Sequence, residues 1–178
     1  MPRTPRYLRA YVQAHRQGAR GVDALLWEDR RSQHVRFEAV ARNCRLQGRR
    51  ILDVGCGRAD LLGYLRARGT FPARYIGLEA QPWLARAARR RRYPDCLILE
   101  GDFVLSPEKL RLAGASVVIF SGSLNLLPRA PFYRSLRHAW EATSRHLIFN
   151  FLCSPDLADA VHLTWYPKSA VLAFARRL

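Results

Sequence analysis

The stretch Ile51-Leu52-Asp53-Val54-Gly55-Cys56-Gly57-Arg58-Ala59-Asp60-Leu61-Leu62 decides how the rest of the chain is read. Its first four residues form a short apolar run closed by glycine, the mark of a buried strand. Helical patterning then resumes over Ala59–Arg68 and stops at Gly69. Glycines at such a bend let the backbone approach a ligand closely. A helix opening just beyond them offers free N–H groups. The spacing does not fit dinucleotide binding. A G-x-G-x-x-G pattern begun at Gly55 requires glycine at position 60, where Asp60 stands and would repel a pyrophosphate. That argues against a nicotinamide dehydrogenase.

Outward from this stretch the alternation of strand and helix continues. Further strands are expected at Arg74–Leu78, Cys96–Leu99, Ala115–Phe120 and His146–Phe151. Helices are expected from Pro82, from Ser106-Pro107-Glu108 with serine as cap, over Pro131–Thr143 and over Lys168–Arg177. Upstream, Leu25, Leu26, Val35, Phe37, Val40 and Leu46 give Val22–Leu46 the spacing of one amphipathic helix, with Gly48 as its stop. Apolar strands alternating with helices predict an α/β, doubly wound, mostly parallel sheet covered on both faces. Ligands bind such sheets at the carboxyl ends of the strands. Neither an internal repeat nor a low-complexity linker interrupts the 178 residues, which fit one domain.

The formal charge of +16 invites a polyanion partner. All but Lys109 and Lys168 of the 30 basic residues are arginine, however, and they are scattered along the chain. The one dense run, Arg89–Arg92, closes an expected helix, where cations face the negative end of the dipole. Solvated helix faces therefore explain the charge better than a nucleic-acid site. The first 22 residues carry Arg3, Arg6, Arg9, Arg16 and Arg20 and no acid, and read as a basic, partly disordered arm leading into a helix. Cys44, Cys56, Cys96 and Cys153 lie far apart, which suggests reduced, mostly buried thiols in a cytoplasmic protein. Apolar runs are strand-sized, so no membrane span is expected. The five histidines show neither ligand spacing nor a partner set for nucleophilic catalysis, and no metal is implied.

Two further acids fall at strand ends. Glu79 closes Tyr75-Ile76-Gly77-Leu78-Glu79, 26 residues after Asp53, and Asp102 follows the third strand in Glu100-Gly101-Asp102-Phe103. A carboxylate presents acceptors to two neighbouring hydroxyls, or to an exocyclic amine. The loop Ser121-Gly122-Ser123-Leu124-Asn125 leaves the fourth strand beside the glycine bend. With these residues in place the sequence resembles the class I S-adenosylmethionine-dependent methyltransferases, whose first motif reads acid-x-Gly-x-Gly-x-Gly. Asp53, Gly55 and Gly57 match it, and Ala59 replaces the third glycine.

The resemblance spans about Ile51 to Phe151. It implies a Rossmann-like sheet of strand order 3-2-1-4-5 in an S-adenosylmethionine-binding domain over 49–178, behind a basic arm and helical extension over 1–48. It implies that Asp53, Gly55, Cys56, Gly57, Glu79, Ala80, Asp102, Phe103 and Ser121 border the cofactor. In this picture Glu79 grips the ribose hydroxyls and Asp102 accepts from the adenine amine. Ser123 and Asn125 are candidates to meet substrate. In the preceding helix, Trp27, Gln33, Arg36 and Phe37 resemble a group of bacterial methyltransferases with Trp before Gln-x-x-Arg-Phe. There Arg36 is expected to reach the carboxylate of the cofactor's methionine end.

The implied reaction is in-line displacement of the sulfonium methyl by a substrate nucleophile, releasing S-adenosylhomocysteine. The loop lacks the Asp/Asn-Pro-Pro-aromatic motif of base-amino methyltransferases and the Pro-Cys of pyrimidine carbon-5 enzymes. A small-molecule acceptor is therefore favoured over RNA or DNA. Only 27 residues follow Phe151, too few for the two further strands usual in the family. Strands six and seven are thus expected to be missing or rudimentary. The strand-five edge is then free to pair with another subunit or to be covered by Pro155–Pro167, with His162–Tyr166 as a short extra strand. The alternatives are a nucleic-acid methyltransferase and a truncated, non-catalytic cofactor-binding module.

Overall fold

The computed structural model describes residues 4–158 and 160–178. Met1–Arg3, the start of the expected basic arm, lies outside the described residues. Strands β1 (Arg50–Val54), β2 (Arg74–Glu79), β3 (Cys96–Glu100), β4 (Val117–Phe120) and β5 (His146–Phe149) form one open, parallel sheet of order β3-β2-β1-β4-β5. The chain reverses its direction of travel across the sheet between β1 and β4, the switch point where open α/β sheets hold ligands.

Side chains alternate across the sheet with the period of two that a strand imposes. Ile51, Tyr75, Ile98, Val117 and Ile119 share one core with Phe37 and Val40 of α2 (Arg30–Asn43), Leu61 and Leu65 of α3 (Asp60–Ala67), and Ala85 and Ala88 of α4 (Pro82–Arg90). Leu52, Val54, Ile76, Leu78, Val118 and Phe120 share the other with Leu110 of α5 (Glu108–Leu112), Phe132 and Leu136 of α6 (Arg129–Ala142), and Val171 of α7 (Lys168–Ala175). Burying a leucine or isoleucine of this kind stabilises by roughly 1.5–3 kcal/mol. Two faces buried by helices are what an all-apolar strand requires.

The N-terminal third departs from expectation. Val22–Leu46 is not one helix: Asp23–Leu25 is a short 3₁₀ turn, and Leu26 takes a left-handed conformation (φ 58°). Helix α2 then starts afresh, because the Asp29 carboxylate accepts from the Ser32 amide at 2.6 Å while the Ser32 hydroxyl reaches back to the Asp29 backbone. A strong local cap thus overrides the longer apolar period. From its fourth residue the expected arm is ordered too: a 3₁₀ turn at Arg6–Leu8 leads into α1 (Arg9–Arg16).

Smaller corrections have local causes. Pro107, not Ser106, occupies the cap position of α5, and no side chain caps that short helix. The arginine run is only partly solvated. Arg89 donates to the Ile98 carbonyl (2.9 Å) and pairs with Glu100 (2.5 Å), pinning α4 to β3, and Arg91 pairs with Asp60 at the start of α3. Of the cysteines only Cys56 is buried, and Cys153 is exposed.

Among the described residues the sheet has no sixth or seventh strand, and β5 is an edge. The tail does not run along that edge. It makes one isolated parallel bridge, Leu152–Trp165, and turns back over the loop after β4. There Thr164 donates through its amide (2.7 Å) and its hydroxyl (2.9 Å) to the Asn125 carbonyl, and the Tyr166 hydroxyl donates to the Leu127 carbonyl at 2.7 Å. Among the described residues no helix is long and apolar enough to cross a membrane.

Candidate functional site

The carboxyl ends of β1, β2 and β4, with the turn after β3, open into one cleft of about 980 Å³, solvent at its mouth included. Asp53, Gly55, Cys56 and Gly57 line it from β1, Glu79 and Ala80 from β2, Asp102 and Phe103 from the turn after β3, and Ser121, Ser123 and Asn125 from the loop after β4. Arg36 does not line it. Its guanidinium lies 4.9 Å from the centre of the Trp27 ring and donates to the Ser32 carbonyl at 2.8 Å. Half-buried there, it is a stacked partner of the aromatic wall, while its α2 neighbours Gln33, one turn earlier, and Phe37, the next residue, do reach the cleft.

The glycine bend fits closely. Gly55 has φ +74°, and a Cβ at that position would sit 2.4 Å from the Ser123 Cβ. The loop after β4 therefore packs directly on the bend, and the Ser123 hydroxyl donates to the Val54 carbonyl at 2.5 Å. Ala59, in place of a third glycine, keeps the left-handed conformation (φ 57°, ψ 37°) that glycine adopts without strain.

Two of the acids are buried, Asp102 is half-buried, and all are incompletely used. Glu79 is 6% exposed. Its carboxylate accepts from the Gly57 amide (2.8 Å) through one oxygen and from the Gln81 amide (2.7 Å) through the other. Each oxygen keeps a further lone pair for a ligand hydroxyl. Burial raises its pKa against those backbone donors. Asp53, 3% exposed, accepts a hydrogen bond from the Tyr75 hydroxyl. Burial, opposed by that bond and aided by the nearby Glu79 and Asp60 charges, pushes its carboxyl up to about 7. Asp102 accepts from the Val104 amide at 2.8 Å and from the Tyr7 hydroxyl at 2.7 Å.

That last bond reveals what the sequence reading missed: the N-terminal segment roofs the cleft. Tyr7, Leu8, Tyr11, Leu25, Leu26 and Trp27 all line it. Leu25 closes over Gly57, where a Cβ would meet its side chain at 2.7 Å, and the Trp27 ring lies over Gly122, where a Cβ would meet it at 2.7 Å. His15 stacks on Trp83 at 4.2 Å, tying α1 to α4. Tyr7 and Tyr11, four residues apart on an otherwise arginine-rich stretch, were the available signal.

On a chain of formal charge +16, the cleft is lined by Asp53, Asp60, Glu79 and Asp102 and, among the described residues, by no arginine, lysine or histidine. Among the described residues, only Asp60 of the four acids has a cationic partner, Arg91. Such a site favours a cationic or neutral ligand and disfavours a polyanion.

No protein-family model matches the sequence, and no curated protein matches it. Solved structures do. A methyltransferase from Haloferax volcanii, in complex with the Trm112 methyltransferase activator, superposes with a TM-score of 0.64 at 18% identity, over 96% of this chain and 74% of the other. Magnesium protoporphyrin IX methyltransferase from Synechocystis, with SAH bound, gives 0.61 at 16% identity, over 98% and 77%. The SAM-bound amino pentose methyltransferase CalS10 from Micromonospora gives 0.54 at 21%, over 83% and 58%. The sheet order and these likenesses agree: the chain has the Rossmann-like fold of the class I S-adenosylmethionine-dependent methyltransferases.

Proposed function

We propose that this protein binds S-adenosylmethionine in the cleft and transfers its methyl group to a small molecule. One observation carries the reading. The glycine bend after Asp53, the Glu79 carboxylate and the Asp102 turn come from three separate strands and border a single cleft that, among the described residues, has no cationic side chain. When bound, S-adenosylmethionine supplies an electrophilic methyl on a sulfonium sulfur, open to in-line displacement by an acceptor lone pair. Glu79 would hold the ribose hydroxyls with its spare lone pairs, and Asp102 the adenine amine, beside the apolar ring of Phe103. The glycine bend, packed against Ser123 and Leu25, would present its backbone to the sulfur end. The roof of Tyr7, Tyr11 and Trp27 excludes water and limits the size of what enters. These residues therefore act chiefly by alignment, which can supply roughly 7–11 kcal/mol of a two-reactant barrier. The acidic lining weighs against RNA or DNA as acceptor, whose phosphates it would repel.

Calorimetric titration tests the proposal. S-adenosylmethionine and S-adenosylhomocysteine should both bind, and Glu79→Ala should weaken each at least about tenfold, the loss of one charge-assisted hydrogen bond, with the fold intact by circular dichroism. Absence of binding at millimolar ligand, or an unchanged dissociation constant in the variant, contradicts it.

A further inference from the structure

Gln33 on α2 is 4% exposed and Asn125 on the loop after β4 is 8% exposed, and both line the cleft. The Asn125 Oδ1 is buried without a hydrogen-bond partner, and the Gln33 side chain, whose polar atoms still touch solvent, makes no hydrogen bond among the described residues. The other two unpartnered buried polar atoms, the Tyr64 hydroxyl and the Trp83 Nε1, belong to residues that do not line the cleft. Buried polar groups are otherwise almost always paired, so the unpartnered Asn125 carbonyl, with the unbonded Gln33 amide in the same cavity, calls for a ligand. Neither is held in place by chance packing alone. The Asn125 backbone is clamped by Thr164 from the C-terminal tail, and Trp27, against Gly122, lies between the two elements and also lines the cleft.

We infer that Gln33 and Asn125 form the acceptor subsite and select an uncharged small molecule that presents its own donor and acceptor along one edge, as an amide or lactam does. Each side-chain amide offers one carbonyl and two N–H groups, and rotation about its last bond turns either end toward the ligand. A carboxylate or phosphate would meet the cleft's acids with no cationic side chain among the described lining residues to offset them. Trp27, Phe37, Leu126 and Leu163 provide the apolar wall for the body of the molecule. That the molecule is a methyl acceptor rests on the methyltransferase reading; that the amides bind it does not.

The test uses benzamide and benzoate, which share a body and differ in charge, on protein saturated with S-adenosylhomocysteine and followed by ligand-observed NMR. Benzamide should bind with an affinity in the low millimolar range, as expected for so small a ligand, and benzoate at least about tenfold more weakly. Gln33→Leu and Asn125→Leu should each weaken benzamide at least about tenfold while changing S-adenosylhomocysteine affinity less than about twofold. Thermal unfolding of Asn125→Leu should occur no lower than in the parent, because no internal bond is removed. No benzamide binding at about 10 mM, equal binding of benzoate, or leucine variants that keep benzamide overturns the inference. Leucine variants that lose S-adenosylhomocysteine overturn it as well, since the amides would then serve the cofactor. If the parent does not bind S-adenosylhomocysteine, the methyltransferase reading fails instead, and benzamide on the ligand-free protein still decides the subsite.

Discussion

The floor and the roof of the cleft are built by different means. The floor consists of strand ends: Asp53 and Glu79 sit at the ends of β1 and β2, whose neighbours are buried on both faces. The roof is the N-terminal segment, whose 3₁₀ turn at Arg6–Leu8 and helix α1 hold no buried residue, and it is held by a few contacts, chiefly the Tyr7 bond to Asp102 and the His15 stack on Trp83. A floor of this kind keeps its geometry whether or not a ligand is present. A roof of this kind has low local stability and can open to admit one. The floor aligns, and the roof admits and shields.

The most damaging change should be Gly55→Ala in the floor. Its left-handed backbone and the 2.4 Å approach to Ser123 predict a loss of about 2–4 kcal/mol in denaturant unfolding, together with lost cofactor binding. If the variant is as stable as its parent, the floor is not the rigid half.

Next comes the charge of Asp53. Its ordinary value of 3.8 is raised to about 7, so the folded protein holds this proton more tightly than the unfolded chain does. Asp53 thus contributes stability that is complete below about pH 3.8 and fades as pH rises through 7. A cationic ligand favours the ionised form, so S-adenosylmethionine affinity should rise up to about tenfold from pH 6 to pH 8 with proton release. Titrations of Asp53→Asn should be flat across that range; a pH dependence that survives the substitution assigns it to another group.

The roof should answer a ligand where the floor does not. Hydrogen exchange in α1 should be fast in the free protein and slow by about fivefold when S-adenosylhomocysteine is added, roughly the strength of one added hydrogen bond. Amides of β1 should exchange slowly in both states. Equal protection of the two regions before ligand is added would show that floor and roof do not differ in local stability.

The smallest effect should come from Ala59→Gly. It relieves a left-handed alanine but removes a fully buried methyl, for a net gain of about 0.5–1 kcal/mol and a rise of about 2–3 °C in Tm, read by scanning calorimetry. Cofactor affinity should not change, since this residue does not line the cleft.

How much of this was legible in the sequence follows the same division. Strand ends carry their signals within a few residues: an apolar run, an acid, a glycine. Asp53, Glu79 and Asp102 could therefore be picked out, and their strands ordered, from local pattern and the resemblance alone. The roof has no such signature. Tyr7 meets a residue 95 positions away, and Trp27 lies over Gly122 through contacts that no period along the chain encodes. The same limit explains Arg36, chosen for its charge, which stacks on Trp27, while Gln33, one helical turn earlier, faces the cleft.

By itself, then, the sequence determined the alternation of elements, the parallel sheet and the acids at its carboxyl edge, because backbone periodicity and glycine geometry are local properties. Only the tertiary structure decided which side chains close the cleft, which amides are left without partners and where the positive charge does not go. Those follow from packing between distant segments, and packing is settled by the whole chain at once.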